Sequence, residues 1–457
     1  MDTDRFYDRT PGEENLVRRR PWYMLALLLF LLGIIFHQPI AFLLSLFALV
    51  IGIVPEIWSR FALPHLIVQH EASQKRAFFG ETITLAIRLE NQKLLPLPWI
   101  ETESEIPEQL PVISARVSPT HKALRVALVN AFSLWSFQRV TRHYRLRCPA
   151  RGKYTFGPVT VRWSDPFGWL VREERLPVYE TIFVYPLVAP LETFGLSSRH
   201  PFGARVTPQA LLEDPLLVAG TREYHRGDDP RRIHWKASAH AGELRSKVYE
   251  PSSQYRLLVA LDIRSYKETW LGIDPELREL TISVAASLAM WGLDAGYSVG
   301  LLVNSVPGSS SGENRDTGDA PVSSGMPSFA PAVSLPLARS HQQRERILSV
   351  LGQLVSYFST SIHTLLEEAR RSLPVGTTVV LVSAARALQE ETVACLLDMR
   401  LHGAAVHIVV VGDEEDQARE ETYDIPVHHA GGREKWHELV EAVDLATGQS
   451  ATHIYLD

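Results

Sequence analysis

The stretch TREYHRGDDPRRIHWKASAHAGELRSKVYE, Thr221 to Glu250, divides the chain into two regions of different grammar. Before it, apolar residues recur at every second position. After it, apolar runs alternate with segments of helical spacing. Within it, Gly227-Asp228-Asp229-Pro230 reads as a turn leading into a short helix over Arg231, Arg232, Ile233, His234, Trp235, Lys236 and Ala237. Asp229 suits the capping position, and Pro230 suits the first helical position, where a missing amide hydrogen loses nothing. Arg231 and Arg232 then stand where the helix dipole favours anions. An answering carboxylate is needed, and Asp228, Asp229 and Glu223 are at hand.

Upstream, Ile83, Leu85, Ile87 and Leu89 alternate with Thr82, Thr84, Arg88 and Glu90, the period of a half-buried strand. Tyr144, Leu146 and Cys148 repeat the pattern, as do Val159, Val161 and Trp163, and then Ile182 and Val184. Short strands separated by Pro and Gly turns predict an antiparallel β-sandwich over residues 66–190. Residues 191–256 form a linking segment between this sandwich and the C-terminal region. Downstream, Leu257 to Ile263, Tyr297 to Val303, Thr378 to Val382 and Val406 to Val411 read as buried strands. Helices are predicted over Leu277 to Leu293, Ile347 to Val355, Leu365 to Leu373 and Leu388 to His402, with a short strand at Ile425 to His428 and a last helix near Trp436 to Ala446. This alternation predicts a doubly wound, mostly parallel sheet over residues 257–457. Residues 305–332, rich in Gly, Ser and Pro, read as a disordered insertion.

At the N-terminus a polar tail, residues 1–20, ends in Arg18-Arg19-Arg20, and two apolar runs follow, Pro21 to Phe36 and Ile40 to Val54. One helix over both runs would be about 50 Å long, too long for a ~30 Å hydrocarbon core, and Pro39 supplies a break. The expectation is a two-helix transmembrane hairpin over residues 21–59. No small-residue cleavage site follows the first run, which sets aside a signal peptide. Arg18 to Arg20, with Arg60, Lys75 and Arg76, place both flanks on the cytoplasmic side. The chain is thus expected to be a multi-pass cell-membrane protein with two spans, its N-terminus and C-terminal domains cytoplasmic and the lipid bilayer a partner.

With 457 residues, 46% of them hydrophobic, the chain has room for two or three cored domains. A net charge of −6 argues against a nucleic-acid binder. Cys148 and Cys395 fall in different regions on apolar faces and read as small buried hydrophobes. Neither a Gly-x-Ser-x-Gly elbow nor a phosphate-binding glycine loop is present. His225, His234 and His240 with Asp228 and Asp229 match no familiar metal spacing. No cofactor is expected and no catalytic residue is assigned.

Arg222-Glu223-Tyr224, Gly227-Asp228-Asp229 and the run Arg231 to Ala239 resemble the signature of the domain of unknown function 58 family, with His240 where the family usually has a basic residue. Leu95-Pro96-Leu97-Pro98-Trp99, Arg151-Gly152-Lys153-Tyr154 with Gly157-Pro158, and Asp165-Pro166-Phe167-Gly168 resemble the N-terminal half of the same family. The last region resembles a von Willebrand factor type A domain, with Asp262 at the tip of its first strand. Such domains often hold a divalent cation there. Here Arg264 and Tyr266 replace the usual serines and Ser383 stands where an Asp is wanted, so Asp262 reads as the remnant of a degenerate cation site and Arg264 as its fixed positive charge. The resemblance implies a binding and assembly protein, not an enzyme: an adaptor for a MoxR-type AAA+ ATPase acting on a membrane or envelope client. Arg222, Tyr224, Gly227, Asp228, Asp229, Arg231, Arg232, His234, Trp235 and Lys236 would contact either the flanking domains or the partner. The alternative is a metal- or phosphate-dependent enzyme built on the same charged segment.

Overall fold

The computed structural model describes residues 20–165, 171–197, 201–202, 213–226, 228–251, 255–308, 332–413 and 424–446. Most of the N-terminal tail, Pro166-Phe167-Gly168, Gly227 and residues 309–331 of the expected insertion lie outside them. The chain divides into two units, Met1–Val184 and Tyr185–Asp457.

Helices α1 (Arg20–Phe36) and α2 (Pro39–Ala62) pair as an antiparallel hairpin, turning at His37 with φ 49°. Length overturns the membrane reading. Helix α1 has 17 residues, about 25 Å at 1.5 Å per residue. In α2 the apolar run from Ile40 to Val54 ends at Pro55 and Glu56, after about 23 Å. Both fall short of a ~30 Å core. Among the described residues no helix is long and apolar enough to cross a membrane. The transmembrane hairpin, the two spans and the cell-membrane location are corrected accordingly, and the bilayer contact inferred from them loses its basis. The last turn of α2 is fastened to the strands of the first unit by Lys93, whose Nζ donates to the carbonyls of Ala62 and Pro64. Ala62 is the last helical residue, whose carbonyl has no partner within the helix, and Pro64 follows just beyond it.

The first unit continues through β1 (Leu66–Ala72), β2 (Arg76–Phe78), β3 (Thr82–Asn91), β4 (Leu97–Pro107), β5 (Ser118–Pro119), β6 (Arg125–Leu134), β7 (Arg139–Arg147), β8 (Gly152–Phe156), β9 (Val159–Ser164), β10 (Val171–Leu176) and β11 (Glu180–Tyr185). They form three sheets, in the orders β1-β3-β7, β10-β9-β4-β6-β5 and β2-β11-β8; the first two are antiparallel throughout, and in the third β11 runs antiparallel to β8. Their inner faces share one core: Ile83, Leu85, Ile87 and Leu89 of β3 meet Leu97, Ile100 and Ile106 of β4, Leu128 of β6 and Val159 and Val161 of β9. Burial alternates residue by residue along β3, because successive side chains of a strand point to opposite faces. Cys148 is buried in this core, which pushes its thiol up to about 12. Cys395 is buried in the second unit and raised for the same reason.

After a 3-10 turn at Leu191–Phe194, the second unit has a two-stranded antiparallel ribbon, β12 (Glu213–Glu223) and β13 (Arg245–Pro251), with the short helix α3 (Trp235–Ala241) between them. Strands β14 (Arg256–Leu261), β15 (Ser298–Val303), β16 (Ser305–Pro307), β17 (Val333–Ala338), β18 (Leu354–Phe358), β19 (Thr378–Ala384), β20 (Ala405–Val411) and β21 (Val427–His429) come after it. Six of them make one sheet in the order β17-β15-β14-β19-β20-β21, parallel except for the edge strand β17. Helix α4 (Pro275–Asp294) packs Gly292 against Leu257 and Val299 on one face. Helices α6 (Ile362–Arg370) and α7 (Glu390–Leu401) pack against Leu258, Ala260, Leu381 and Ile408 on the other. Helices α5 (His341–Gln353) and α8 (Arg433–Ala446) complete the unit. Residues 305–307, expected to begin the insertion, instead form β16 and pair with β18.

From β14 the chain goes first to β15 on one side and later to β19 on the other. Where an open parallel sheet reverses its strand order, a crevice forms outside the carboxyl ends of the strands. Here that point lies beyond Leu261 of β14 and Ala384 of β19.

Candidate functional site

Asp262 and Asn304 come directly after β14 and β15, and the register pairs Leu261 with Val303. The two polar residues are therefore neighbours at the carboxyl edge, and both are buried. The Asp262 carboxylate is filled by its own chain. Oδ1 accepts the Arg264 backbone amide at 3.0 Å, Arg264 Nε at 3.0 Å and Asn304 Nδ2 at 2.7 Å. Oδ2 accepts Arg264 Nη2 at 2.7 Å. Asn304 Oδ1 in turn accepts the Ile263 amide at 3.0 Å. The Arg264 guanidinium carbon lies 6.0 Å from the Phe358 ring centroid. A hard divalent cation needs several free oxygen ligands, and a guanidinium spans both oxygens here, so the residues present do not fit one. Among the described residues no three His, Cys, Asp or Glu side chains gather as a metal site.

The rim of this edge is stitched by a second set of charges. Asp274 caps α4 through the Glu276 and Leu277 amides, and its Oδ2 accepts Arg433 Nε at 3.0 Å and Nη2 at 2.6 Å. Arg433 Nη1 reaches Asp413 at 2.8 Å, and the Ser265 hydroxyl accepts the Asp274 amide. Burial pushes the Asp274 carboxyl up, but the Arg433 and amide hydrogen bonds outweigh it and hold it below its usual range. Asn304, Asp274, Asp413 and Arg433 were not singled out in the sequence. One signal was available for Asn304: β14 and β15 both end an apolar run in a polar residue at the same register.

The charged segment lies elsewhere, as the loop closing the β12–β13 ribbon, where Arg222 pairs with Ser246 and Glu223 with Arg245. Arg222 Nη2 donates to Asp228 Oδ1 at 2.6 Å, and the His225 amide donates to Asp228 Oδ2 at 3.1 Å. These bonds, Arg222 first, hold the Asp228 carboxyl below its usual range. Tyr224 donates its hydroxyl to the Asp228 carbonyl at 2.9 Å and its amide to the Leu244 carbonyl at 2.9 Å. Asp229 caps a single 3-10 turn, Pro230–Arg232, by accepting the Arg231 amide. The helix expected over Arg231 to Ala237 does not continue. Ile233 turns extended and bridges to Ser246, and helix begins again at Trp235. His234 caps that second start, its Nδ1 accepting the Ala237 amide at 3.1 Å. Gly242 ends α3 in the left-handed region with φ 71°, where a side chain would strain the backbone. Ser238 Oγ donates to the His234 carbonyl and accepts the Arg245 amide.

The segment thus sorts itself. Arg222, Tyr224, Asp228, Asp229 and His234 are spent on the loop's own hydrogen bonds. Arg232 is half-buried and Arg231 exposed. Trp235 is 70% exposed and Lys236 exposed. Gly227 is outside the described residues. The carboxylate needed beside the two arginines does not come from Asp228, which serves Arg222 instead.

Fold and loop together define a two-unit α+β protein in which one wired loop precedes a mostly parallel sheet. Residues 220–310, from this loop through Asp262 and Asn304, match the family model described as "Protein of unknown function DUF58". A curated relative, "Uncharacterized protein YeaD" of Bacillus subtilis (strain 168), is 25% identical over 223 residues, which are 49% of this chain and 52% of that protein. The chain therefore spans about half the length of the curated relative it matches. Among solved structures, "conserved hypothetical protein BatB" from Bacteroides thetaiotaomicron is matched over 43% of this chain and 100% of its own, at 14% identity and a TM-score of 0.26. The CARDB domain of the PF1109 protein from Pyrococcus furiosus is matched over 26% and 86%, at 10% identity and a TM-score of 0.19.

Proposed function

We propose that the chain is a binding and assembly protein, not an enzyme: an adaptor that couples a MoxR-type AAA+ ATPase to a client through the loop that closes the β12–β13 ribbon. The observation that carries this reading is the sorting within the loop. Its stabilising hydrogen bonds are internal, and they fix a backbone from which Trp235, Arg231 and Lys236 project into solvent. A rigid exposed loop of this kind recognises a surface. At the sheet's carboxyl edge, where an open α/β fold usually takes its ligand, Asp262 is neutralised by Arg264 and offers neither a free base nor a ligand oxygen.

Strand order supports a further step. A central β14 bearing Asp262 at its tip, with the reversal beside it, is how a von Willebrand factor type A-like unit would be built, and the loop resembles a family often encoded beside MoxR-type ATPases. The full chain is expected to co-purify with the ATPase of the neighbouring gene. Asp228→Asn combined with Asp229→Asn should abolish that association while circular dichroism stays unchanged. Association that survives the double substitution in a folded chain removes the loop from the function.

A further inference from the structure

The outward side of the loop has a definite chemistry. Helix α3 has seven residues, and its inner side, Ala237 and Ser238, is half-buried against β13, whereas Trp235, Lys236, Ala239 and His240 are exposed. Residues four apart on a helix stack on one face, so Trp235 stands over Ala239, and Lys236 over His240 beside them. Ala239 is too small to cover the indole. Arg231 and Arg226, in the preceding turns, are exposed as well. From residue 222 to 247 there are seven Lys and Arg against four Asp and Glu, a positive excess in a chain of net charge −6. Two of the four acids are already engaged, Asp228 by Arg222 and Asp229 by the Arg231 amide. Among the described residues no carboxylate pairs with Arg226, Arg231 or Lys236. Trp135 and Trp270 are at least as exposed. What sets Trp235 apart is its place on one helical turn within this cationic surround.

Resting on the adaptor reading, we infer that Arg231, Trp235, Lys236 and His240 form the contact surface itself, and that it fits a protein partner whose carboxylate-rich face surrounds an apolar pocket for the indole. Trp and Arg are the side chains that dominate binding where they enter a desolvated pocket. Opposite charge around them steers encounter and fixes register. The basic excess is confined to this loop in a chain of net charge −6, whereas a nucleic-acid binder carries a basic excess over a whole domain, which favours a protein partner.

The test measures binding of the full chain to the purified MoxR-type ATPase at two salt concentrations. Trp235→Ala is expected to weaken binding about thirtyfold or more. Arg231→Glu with Lys236→Glu should weaken it comparably and remove most of the salt dependence, and Trp235→Phe should retain most of the affinity. Every variant is checked for an unchanged circular dichroism spectrum. If the ATPase binds and neither Trp235→Ala nor the charge reversal matters, this inference fails and the adaptor reading stands. If the ATPase does not bind the parent chain, the adaptor reading fails, and poly-L-glutamate decides the surface. Retention of poly-L-glutamate that is lost on charge reversal upholds the inference; no retention overturns it. Tighter binding of a single-stranded oligonucleotide than of poly-L-glutamate at equal salt also overturns it.

Discussion

Two arginine–aspartate pairs of nearly equal length sit in opposite surroundings. Arg264 and Asp262 meet at 2.7 Å with side chains 7% and 2% exposed; Arg222 and Asp228 meet at 2.6 Å with side chains 47% and 15% exposed. The buried pair closes on itself, with Asn304 completing the carboxylate's bonds. Its neighbours at the sheet edge are likewise paired, Asp274 and Asp413 by Arg433. The exposed pair does something different. It bends one loop, from which Arg226, Arg231, Lys236 and an indole face water. The same contact serves as a plug in one place and as a scaffold in the other, and burial decides which.

Breaking the buried pair should have the largest effect. Asp262→Asn leaves the Arg264 guanidinium buried without a counter-charge, a loss of about 3–5 kcal/mol in unfolding free energy. Replacing both residues with apolar ones, Asp262→Leu with Arg264→Met, should recover only part of it, because Asn304 Nδ2 and the residue-264 amide then lose their buried acceptor. Urea denaturation measures both, and an Asp262→Asn variant within ~0.5 kcal/mol of the parent would mean that the pair is solvated.

Burial should next show itself in pH dependence. His70, 7% exposed, shares one hydrogen bond with the Ser104 hydroxyl at 3.1 Å, and burial lowers its pKa to about 4. A depressed histidine stabilises the fold fully above its unfolded value near 6.5, and the contribution is lost as pH falls toward 4. About 3 kcal/mol should disappear across that window. Melting temperatures taken from pH 7.5 down to pH 4 should fall, and His70→Gln should flatten the decline. His407 in the second unit, also lowered to about 4 by burial and then by His428 and Arg400, should act in the same direction.

At the loop, effects should be smaller and local. His234→Ala removes the acceptor for the Ala237 amide, a loss of about 1 kcal/mol confined to α3. Hydrogen exchange at Ala237 and Ser238 should quicken with little change in global melting. Smallest of all, Arg222→Ala should leave the melting temperature in place while the Asp228 carboxyl rises toward its ordinary range, visible in a carboxylate titration by NMR. A global melting drop from Arg222→Ala would erase the contrast between plug and scaffold.

What the sequence disclosed obeys the same physics. The alternation from Thr82 to Glu90 became β3 because one face enters a core and the other does not. Continuous apolar runs became β14, β19 and β20, buried on both faces. Helical spacing through Ile347, Leu348 and Leu351 hid the end of α5, since the chain leaves the helix at Leu354 to pair with β16, where Ser305 holds the carbonyls of Val355 and Tyr357. Strands β12 and β13 were invisible, because their partners lie across a charged loop and carry no clear period. Hydropathy found α1 and α2 but overstated their reach, which is a matter of length. Of the loop, residue types identified the cap at Asp229. They could not foresee that Ile233 would bridge to Ser246 and break the helix in two.

Hydrogen exchange on the full chain, with and without the MoxR-type ATPase, compares plug and scaffold in a single experiment. The account predicts slowed exchange of amides from Arg231 to Ala241 on complex formation, with those from Asp262 to Ser265 unchanged. Slowed exchange at Asp262 to Ser265 with the loop unaffected would contradict it.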